Sequence, residues 1–66
     1  MTRIRELRLS RGLRVIDLSF ETRVHPSQLS SIERRKLAAS VRIREILCSF
    51  LCVPESEAFD GDGLAV

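Results

Sequence analysis

Apolar residues recur three or four positions apart along this chain, and glycine, proline and capping residues divide the pattern into short segments. Such spacing is typical of helices that bury one face, and no segment alternates apolar and polar residues for long enough to form a convincing strand. The chain has no internal repeat and no linker long enough to divide it. The sequence therefore predicts an all-α protein, a compact bundle of four to five helices.

Capping and breaking residues set the expected helix boundaries. Thr2 and Ser40 can cap the first and fourth helices, Gly12 can end the first in left-handed backbone, and Pro26 suits the first turn of the third. Pro54 interrupts the fourth helix and opens a short turn. The expected helices cover about residues 3–11, 15–22, 26 onward, 41–51 and 54–59.

Sixty-six residues suffice for one small domain, which we assign to residues 1–60. Residues 61–66 are expected to form a flexible tail. No run of about 18 uncharged apolar residues is present, so no membrane span is predicted, and the charged beginning does not resemble a secretion signal. Two cysteines are too few for a disulfide scaffold and fit a reducing cytosol. A cytoplasmic protein is therefore expected.

The basic residues are concentrated in one part of the chain. Residues 1–53 hold all eleven lysines and arginines beside only five acids, whereas residues 54–66 hold four acids and no base. Ten of the eleven cations are arginine, whose planar guanidinium suits phosphates and base edges. A nucleic-acid-binding protein is expected to have such a basic body. The alternative is an ordinary solvated surface that happens to use arginine.

The helices also carry a characteristic order of residues. The first helix and its closing turn contain Ile4-Arg5-Glu6-Leu7-Arg8 and Gly12-Leu13, and a small residue follows the leucine in Leu18-Ser19. The later matching positions are Val24, Ser27, Leu29, Ser30, Ile32, Glu33, Leu47, Leu51 and Val53. Over about residues 4–59 this order resembles the lambda-repressor/Cro-like helix-turn-helix family, also called the XRE family. The resemblance implies a lambda-repressor-like DNA-binding domain whose motif covers about residues 15–34.

The resemblance also implies a set of DNA-contacting residues. In such motifs the second helix of the pair lies in the major groove, and the first rests across the sugar–phosphate backbone. The residues expected at the groove are Pro26, Ser27, Gln28 and Ser31. Among them Gln28 is the best candidate to contact a base, since its amide can bond adenine N6 and N7 together. The residues expected at phosphates are Arg14, His25, Ser30, Arg34, Arg35 and Lys36.

Two further charges match the family pattern. Members often pair an arginine at position 8 with a glutamate at position 33, and here these residues are Arg8 and Glu33. Such a pair would orient Arg8 toward DNA and tie the recognition helix to the scaffold. The alternative is two unrelated surface charges that contribute little.

At several places the chain departs from the family pattern. Val15 replaces a glutamine that binds phosphate, and Thr22 replaces an inward leucine. Arg23 replaces a turn glycine, where a left-handed backbone costs a non-glycine residue about 1–2 kcal/mol. Arg34-Arg35 replaces the usual asparagine-glycine, and Cys52 replaces a second glycine. These changes weaken the expected DNA contacts more than the expected fold.

Large apolar residues stand where relatives carry polar ones. Ile16 and Phe20 lie four apart on the second helix, and Ile46 and Phe50 repeat this spacing on the fourth. Exposed side chains of this size usually mark a partner surface, whereas a slight rotation of the helices would bury them in the core. We expect a homodimer through Ile46, Phe50 and Phe59, and a possible protein partner through the pair on the second helix.

The function expected from these residues is sequence-specific regulation of transcription, of the repressor type, by a dimer on double-stranded DNA near the nucleoid of a bacterial or phage-infected cell. The alternative is a protein-interaction module or an antitoxin-like partner that keeps the fold with weak or no DNA binding. Neither a catalytic grouping nor a phosphate-binding loop is present. Cys48, Cys52 and His25 are too few for a tetrahedral metal site, so we expect no enzyme activity, metal or cofactor.

Overall fold

The computed structural model describes the whole chain, residues 1–66. It contains five helices and no sheet, in agreement with the all-α prediction. The helices are α1 (Arg3–Ser10), α2 (Val15–Thr22), α3 (Pro26–Glu33), α4 (Val41–Leu51) and α5 (Glu55–Ala58). None of them has the length and apolar character that a membrane crossing requires.

Most of the expected helix ends are present. Gly12 follows α1 with a φ of 68°, the left-handed backbone that glycine adopts most readily. The Ser40 hydroxyl accepts a hydrogen bond from the Ile43 amide at 3.3 Å and so caps α4. Thr2 is different, because its hydroxyl makes no cap bond to α1 and donates instead to the Glu33 carbonyl at 2.8 Å. This bond joins the beginning of α1 to the end of α3.

One apolar core holds the helices together. α2 and α3 pack against each other, and α1 and α2 both pack on α4. The largest fully buried side chains are Ile4, Leu18, Leu29, Ile32, Leu47 and Leu51. Since α3 contributes two of these residues from one face, its opposite face is left toward solvent.

Residues 61–66 do not extend from the domain as a flexible tail, contrary to the sequence prediction. Ala65 is fully buried and pairs with Phe59 in an isolated antiparallel bridge. The Val66 amide donates to Ala58 at 3.0 Å, and the Val66 carbonyl accepts from the Arg3 amide at 2.6 Å. These backbone bonds compensate for the small side chains of the segment, which is why composition alone misjudged it.

The predicted dimer surface is only partly available. Phe59 is 5% exposed and belongs to the core, so its assignment to the interface is wrong. Phe50 packs partly against the core, and the Arg11 guanidinium lies 5.3 Å from the centre of its ring. Ile46 is half-buried. The sequence left open whether the large apolar residues of α4 are exposed. In the structure Ile46 and Phe50 are each half-buried.

The apolar pair on α2 is the more exposed of the two. Phe20 is 82% exposed and Ile16 is 53% exposed. The two side chains lie one helical turn apart on the side of α2 that faces away from Leu18 and Thr22, the buried residues of that helix. An exposed phenylalanine is therefore a feature of the surface beside the α2–α3 turn.

Candidate nucleic-acid interface

The turn between α2 and α3 fixes the angle at which the two helices meet. Arg23 ends α2 in left-handed backbone, and its amide donates to the Ser19 carbonyl at 2.8 Å. Thr22 points inward, as the family pattern requires, although it is less apolar than leucine. Its buried hydroxyl donates to the Leu18 carbonyl at 2.7 Å, so the substitution leaves no unsatisfied polar group. Val24 is also buried and anchors the turn to the core.

The first turn of α3 is organised by a histidine. The Nδ1 atom of His25 accepts a hydrogen bond from the Ser27 amide at 3.2 Å and lies 2.8 Å from the Ser27 hydroxyl. Pro26 follows at the first helical position, where no amide hydrogen is needed. An Nδ1 atom that accepts leaves the ring proton of a neutral imidazole on Nε2. The exposed ring of His25 can therefore donate a hydrogen bond to a phosphate while it caps the helix.

The outward face of α3 carries five of the residues that were expected at DNA. Leu29, Ile32 and Glu33 are buried on the inward face. Ser27 is exposed, and the other outward positions, which are partly exposed, are Pro26, Gln28, Ser30 and Ser31. The structure brings these small polar side chains together along one short helix. Their hydroxyl and amide groups can donate and accept hydrogen bonds at base edges.

Arg8 and Glu33 form the expected ion pair in the interior. Arg8 Nε lies 2.7 Å from Glu33 Oε2, and Arg8 Nη2 lies 3.0 Å from Glu33 Oε1. The remaining Nη1 atom donates to the Leu13 carbonyl at 2.7 Å. The side chains are 8% and 4% exposed, so the alternative of two unrelated surface charges is wrong. The assignment of Arg8 to the DNA-contacting surface is also wrong, because its guanidinium is used to attach α3 to α1.

The basic side chains around α3 differ in their surroundings. Arg34 bonds back to the Ser30 hydroxyl at 3.0 Å and stays beside the outward face of the helix. Arg35 lies 3.6 Å from Asp60 in the turn after α5, so it faces a different element. Lys36 is exposed and takes part in no ion pair. Of these three cations, Arg34 is the one that the structure joins to another expected site residue.

The N-terminus of α2 holds Arg14 in place. Its backbone amide donates to Asp17 Oδ2 at 2.8 Å, and its Nε donates to the same oxygen at 3.0 Å. The hydrogen bond from the Arg14 side chain lowers the pKa of Asp17, and the bond from the Arg14 amide acts in the same direction. Arg14 is thus exposed near the helix end that rests on the DNA backbone in this motif, but Asp17 balances its charge.

Two cations outside the expected set stand out. Arg23 is exposed in the turn before α3 and has no acidic partner. Arg5 lines a cleft of about 440 Å³ with Arg34 and Arg35, between the start of α1 and the end of α3. The family pattern gives no signal for Arg5 as a contact. For Arg23 the signal is the departure already seen in the sequence, an arginine where the family has a turn glycine.

The cysteines play separate parts in the structure. Cys48 is buried, and burial raises the pKa of its thiol. Cys52 is exposed and ends α4 in left-handed backbone, so it lies outside the core. No cluster of three His, Cys, Asp or Glu side chains is arranged to hold a metal ion. The chemistry that the surface offers is therefore hydrogen bonding and positive charge around α3.

Comparison with known proteins agrees with this geometry. A family model described as helix-turn-helix matches residues 4–57, which include all of α2, α3 and α4 and most of α1 and α5. No curated protein and no solved structure matches the chain.

Proposed function

This chain belongs to the XRE, or lambda-repressor/Cro-like, helix-turn-helix family, and on that premise we propose that it is a repressor-type transcriptional regulator that recognises specific sequences in double-stranded DNA. The family supports DNA binding. The observation that carries the proposal further is the way α3 is held. Its inward face is fixed by Leu29, Ile32 and the Arg8–Glu33 pair, while its outward face presents short polar side chains.

Recognition of sequence is assigned to the first turns of α3. In this motif the N-terminal residues of the recognition helix contact base edges in the major groove. Gln28 can bond the N6 and N7 atoms of one adenine, and Ser27 and Ser31 can donate to or accept from several bases. A rigid helix restricts which base pair each side chain meets, because the buried face prevents α3 from rotating.

Contacts to phosphate are assigned to the side chains around this face. His25 offers an Nε2 donor at the start of α3, and Arg34 and Lys36 offer positive charge at its end. Arg14 stands at the start of α2. Such contacts set the register of the protein on the duplex, without distinguishing sequences directly. The four acids of residues 54–66 lie in the α5 segment and the tail, away in sequence from these cations.

We also propose that two copies bind two half-sites about one DNA turn apart, since one module of this size contacts few base pairs. The surface assigned to the contact between copies is the half-buried part of α4 that contains Ile46 and Phe50. We propose that this regulator acts on chromosomal DNA in the cytoplasm.

The test is a titration of the protein with duplex DNA at several salt concentrations, after selection of a preferred duplex from random sequences. Gln28→Ala should lose about 1–3 kcal/mol on the preferred duplex and little on random DNA. Lys36→Ala is the matched control, because it should weaken binding to both duplexes alike and reduce the slope of log K against log salt by about one.

The outcomes separate the parts of the proposal. Equal losses on both duplexes for Gln28→Ala would mean that this side chain only positions the backbone. If the wild type binds no duplex at low salt, regulation of transcription is the wrong function.

A protein partner on α2 is the second candidate function, because Phe20 is 82% exposed and Ile16 is 53% exposed. Association through this pair would bury apolar surface and would persist as salt is raised, whereas phosphate binding weakens steeply. A partner complex that resists high salt and is lost in Phe20→Glu would favour this candidate over DNA binding.

A further inference from the structure

Three residues other than glycine adopt left-handed backbone: Arg23, Arg35 and Cys52, with φ of 63°, 60° and 56°. A residue with a Cβ atom is strained in this conformation, and glycine is not. Strain of this kind persists where the fold or a function requires the side chain. Each of the three side chains is therefore expected to make a contact that offsets this strain.

Two of the three side chains have a use within the chain. Arg35 lies 3.6 Å from the Asp60 carboxylate, and so joins the end of α3 to the C-terminal turn. The Cys52 sulfur lies 3.8 Å from the Ser49 carbonyl oxygen and 3.9 Å from that of Phe50, at the end of α4. The contacts of Arg35 and Cys52 are weak, but each of these two side chains has a partner in the folded protein.

Arg23 has no such partner. Its amide closes α2 by donating to Ser19, a bond that glycine would make equally well. Its guanidinium is exposed and takes part in no ion pair and no side-chain hydrogen bond. The backbone at Arg23 is therefore strained, and no contact of its side chain within the folded chain offsets this strain.

The position of Arg23 near the start of α3 indicates which kind of group its positive charge can bind. It stands two residues before His25, the N-cap of α3, and three residues before the helix itself. The N-terminus of a helix attracts anions, and the first turn of α3 contains no acidic residue that would compensate it. An anion at this end of α3 would lie beside the N-cap His25, and Arg23 is the basic residue that most closely precedes it in the chain.

We propose that Arg23 binds a phosphate of the DNA backbone beside the N-terminus of α3, and that the strained backbone is retained for this contact. The inference rests on the proposed function, since it assigns a further residue to the same interface. Arginine suits the task because its guanidinium stays ionised and donates to phosphate oxygens in pairs. The contact adds affinity on every sequence and leaves the choice of base pairs to α3.

The experiment compares Arg23→Gly and Arg23→Lys with the wild type on the preferred duplex and on random DNA. Arg23→Gly removes the charge and the strain together, so its Tm should be at least as high as that of the wild type. Its affinity should fall roughly five- to tenfold at 0.1 M salt on both duplexes, and its salt slope should decrease by about one. Arg23→Lys keeps the charge and should keep the wild-type slope.

Arg11→Ala is the control for net charge, because it removes one cation whose guanidinium lies over the Phe50 ring. It should change the slope less than Arg23→Gly does. If Arg23→Gly keeps the wild-type affinity and slope while the wild type binds DNA, the inference is wrong and the proposed function stands. If the wild type itself binds no duplex, both are wrong. A lower Tm for Arg23→Gly would show that the side chain serves the fold, and would also overturn the inference.

Discussion

Arg8 and Glu33 are the ionised side chains that this small core encloses, and they determine how it responds to substitution at single residues. Each guanidinium and carboxylate atom of the pair has a hydrogen-bond partner inside the protein. Removing one partner leaves the other charge buried and unpaired, which costs about 3–5 kcal/mol. Domains of this size are only about 5 kcal/mol stable in many cases. We therefore expect Glu33→Ala to keep at most about 2 kcal/mol of its stability, so that it unfolds at a much lower urea concentration than the wild type at 25 °C.

The double variant Arg8→Met with Glu33→Leu is the matched control. A pair replaced by apolar residues of similar volume often leaves stability unchanged or raises it, so we expect the double variant to unfold at a higher urea concentration than Glu33→Ala. It should do so even though it removes more of the native contacts. If the single and double variants both lose less than about 1 kcal/mol, the pair does not have the structural role assigned to it.

The partnership of Arg8 and Glu33 could be predicted from the sequence, but its burial could not. Residues 8 and 33 are recognisable positions of one family, whereas burial depends on how close α1 comes to α3. That approach is fixed by groups with no sequence signal, such as the Leu13 carbonyl and the hydroxyl of Thr2. For the same reason Thr2 was expected to cap α1, since its bond to the distant Glu33 carbonyl depends on tertiary structure.

At the scale of elements, the N-terminus of α2 contributes to the stability of the fold in a way that depends on pH in the acidic range. The Asp17 carboxylate accepts from the Arg14 amide and guanidinium, and these bonds hold its pKa below the usual range. A carboxyl with a lowered pKa in the folded state contributes stability above its unfolded pKa, and this is lost as the pH falls through the folded value. Asp17→Asn should therefore lower Tm near neutral pH, with the difference from the wild type shrinking in acid.

The measurement is Tm against pH by circular dichroism for the wild type and Asp17→Asn. Because the Arg14 side chain is 79% exposed and that of Asp17 is 34% exposed, solvent screens the pair and the effect is expected to be small. Glu57→Gln in α5 serves as a control for loss of one acidic charge. A Tm difference that stays constant into strong acid would mean that Asp17 acts without its charge.

The limits of the helices were more predictable than the segments that join them. α2 and α4 begin and end where the spacing of apolar residues and the cap Ser40 indicated. Residues 61–66 were misjudged because backbone hydrogen bonds, rather than side chains, attach them to α1 and α5. The outward face of α3 could be predicted from the position of Pro26 at the start of the helix. The different directions of the Arg34 and Arg35 side chains could not be predicted, because the contact between Arg35 and Asp60 joins distant parts of the chain.

At the scale of the whole molecule, the question is how two copies of so small a chain meet. The accessible surface is 4118 Å², so an interface of ordinary size, about 800 Å² per partner, would use about a fifth of it. With Phe59 in the core, only the half-buried Ile46 and Phe50 remain of the predicted interface. Apolar burial at this surface is therefore modest, and it must offset the entropy lost on association. We expect the free protein to be a monomer at low micromolar concentration.

DNA changes this balance, because two adjacent half-sites hold two copies close together and raise their effective concentration. On a duplex with two half-sites, binding should then be cooperative through α4. Ile46→Glu should abolish this cooperativity and keep the affinity for a single half-site, whereas Phe20→Glu on α2 should keep the cooperativity. Gel-shift titrations of duplexes with one and two half-sites measure the two quantities separately. Loss of cooperativity in Phe20→Glu but not in Ile46→Glu would move the contact between copies from α4 to α2.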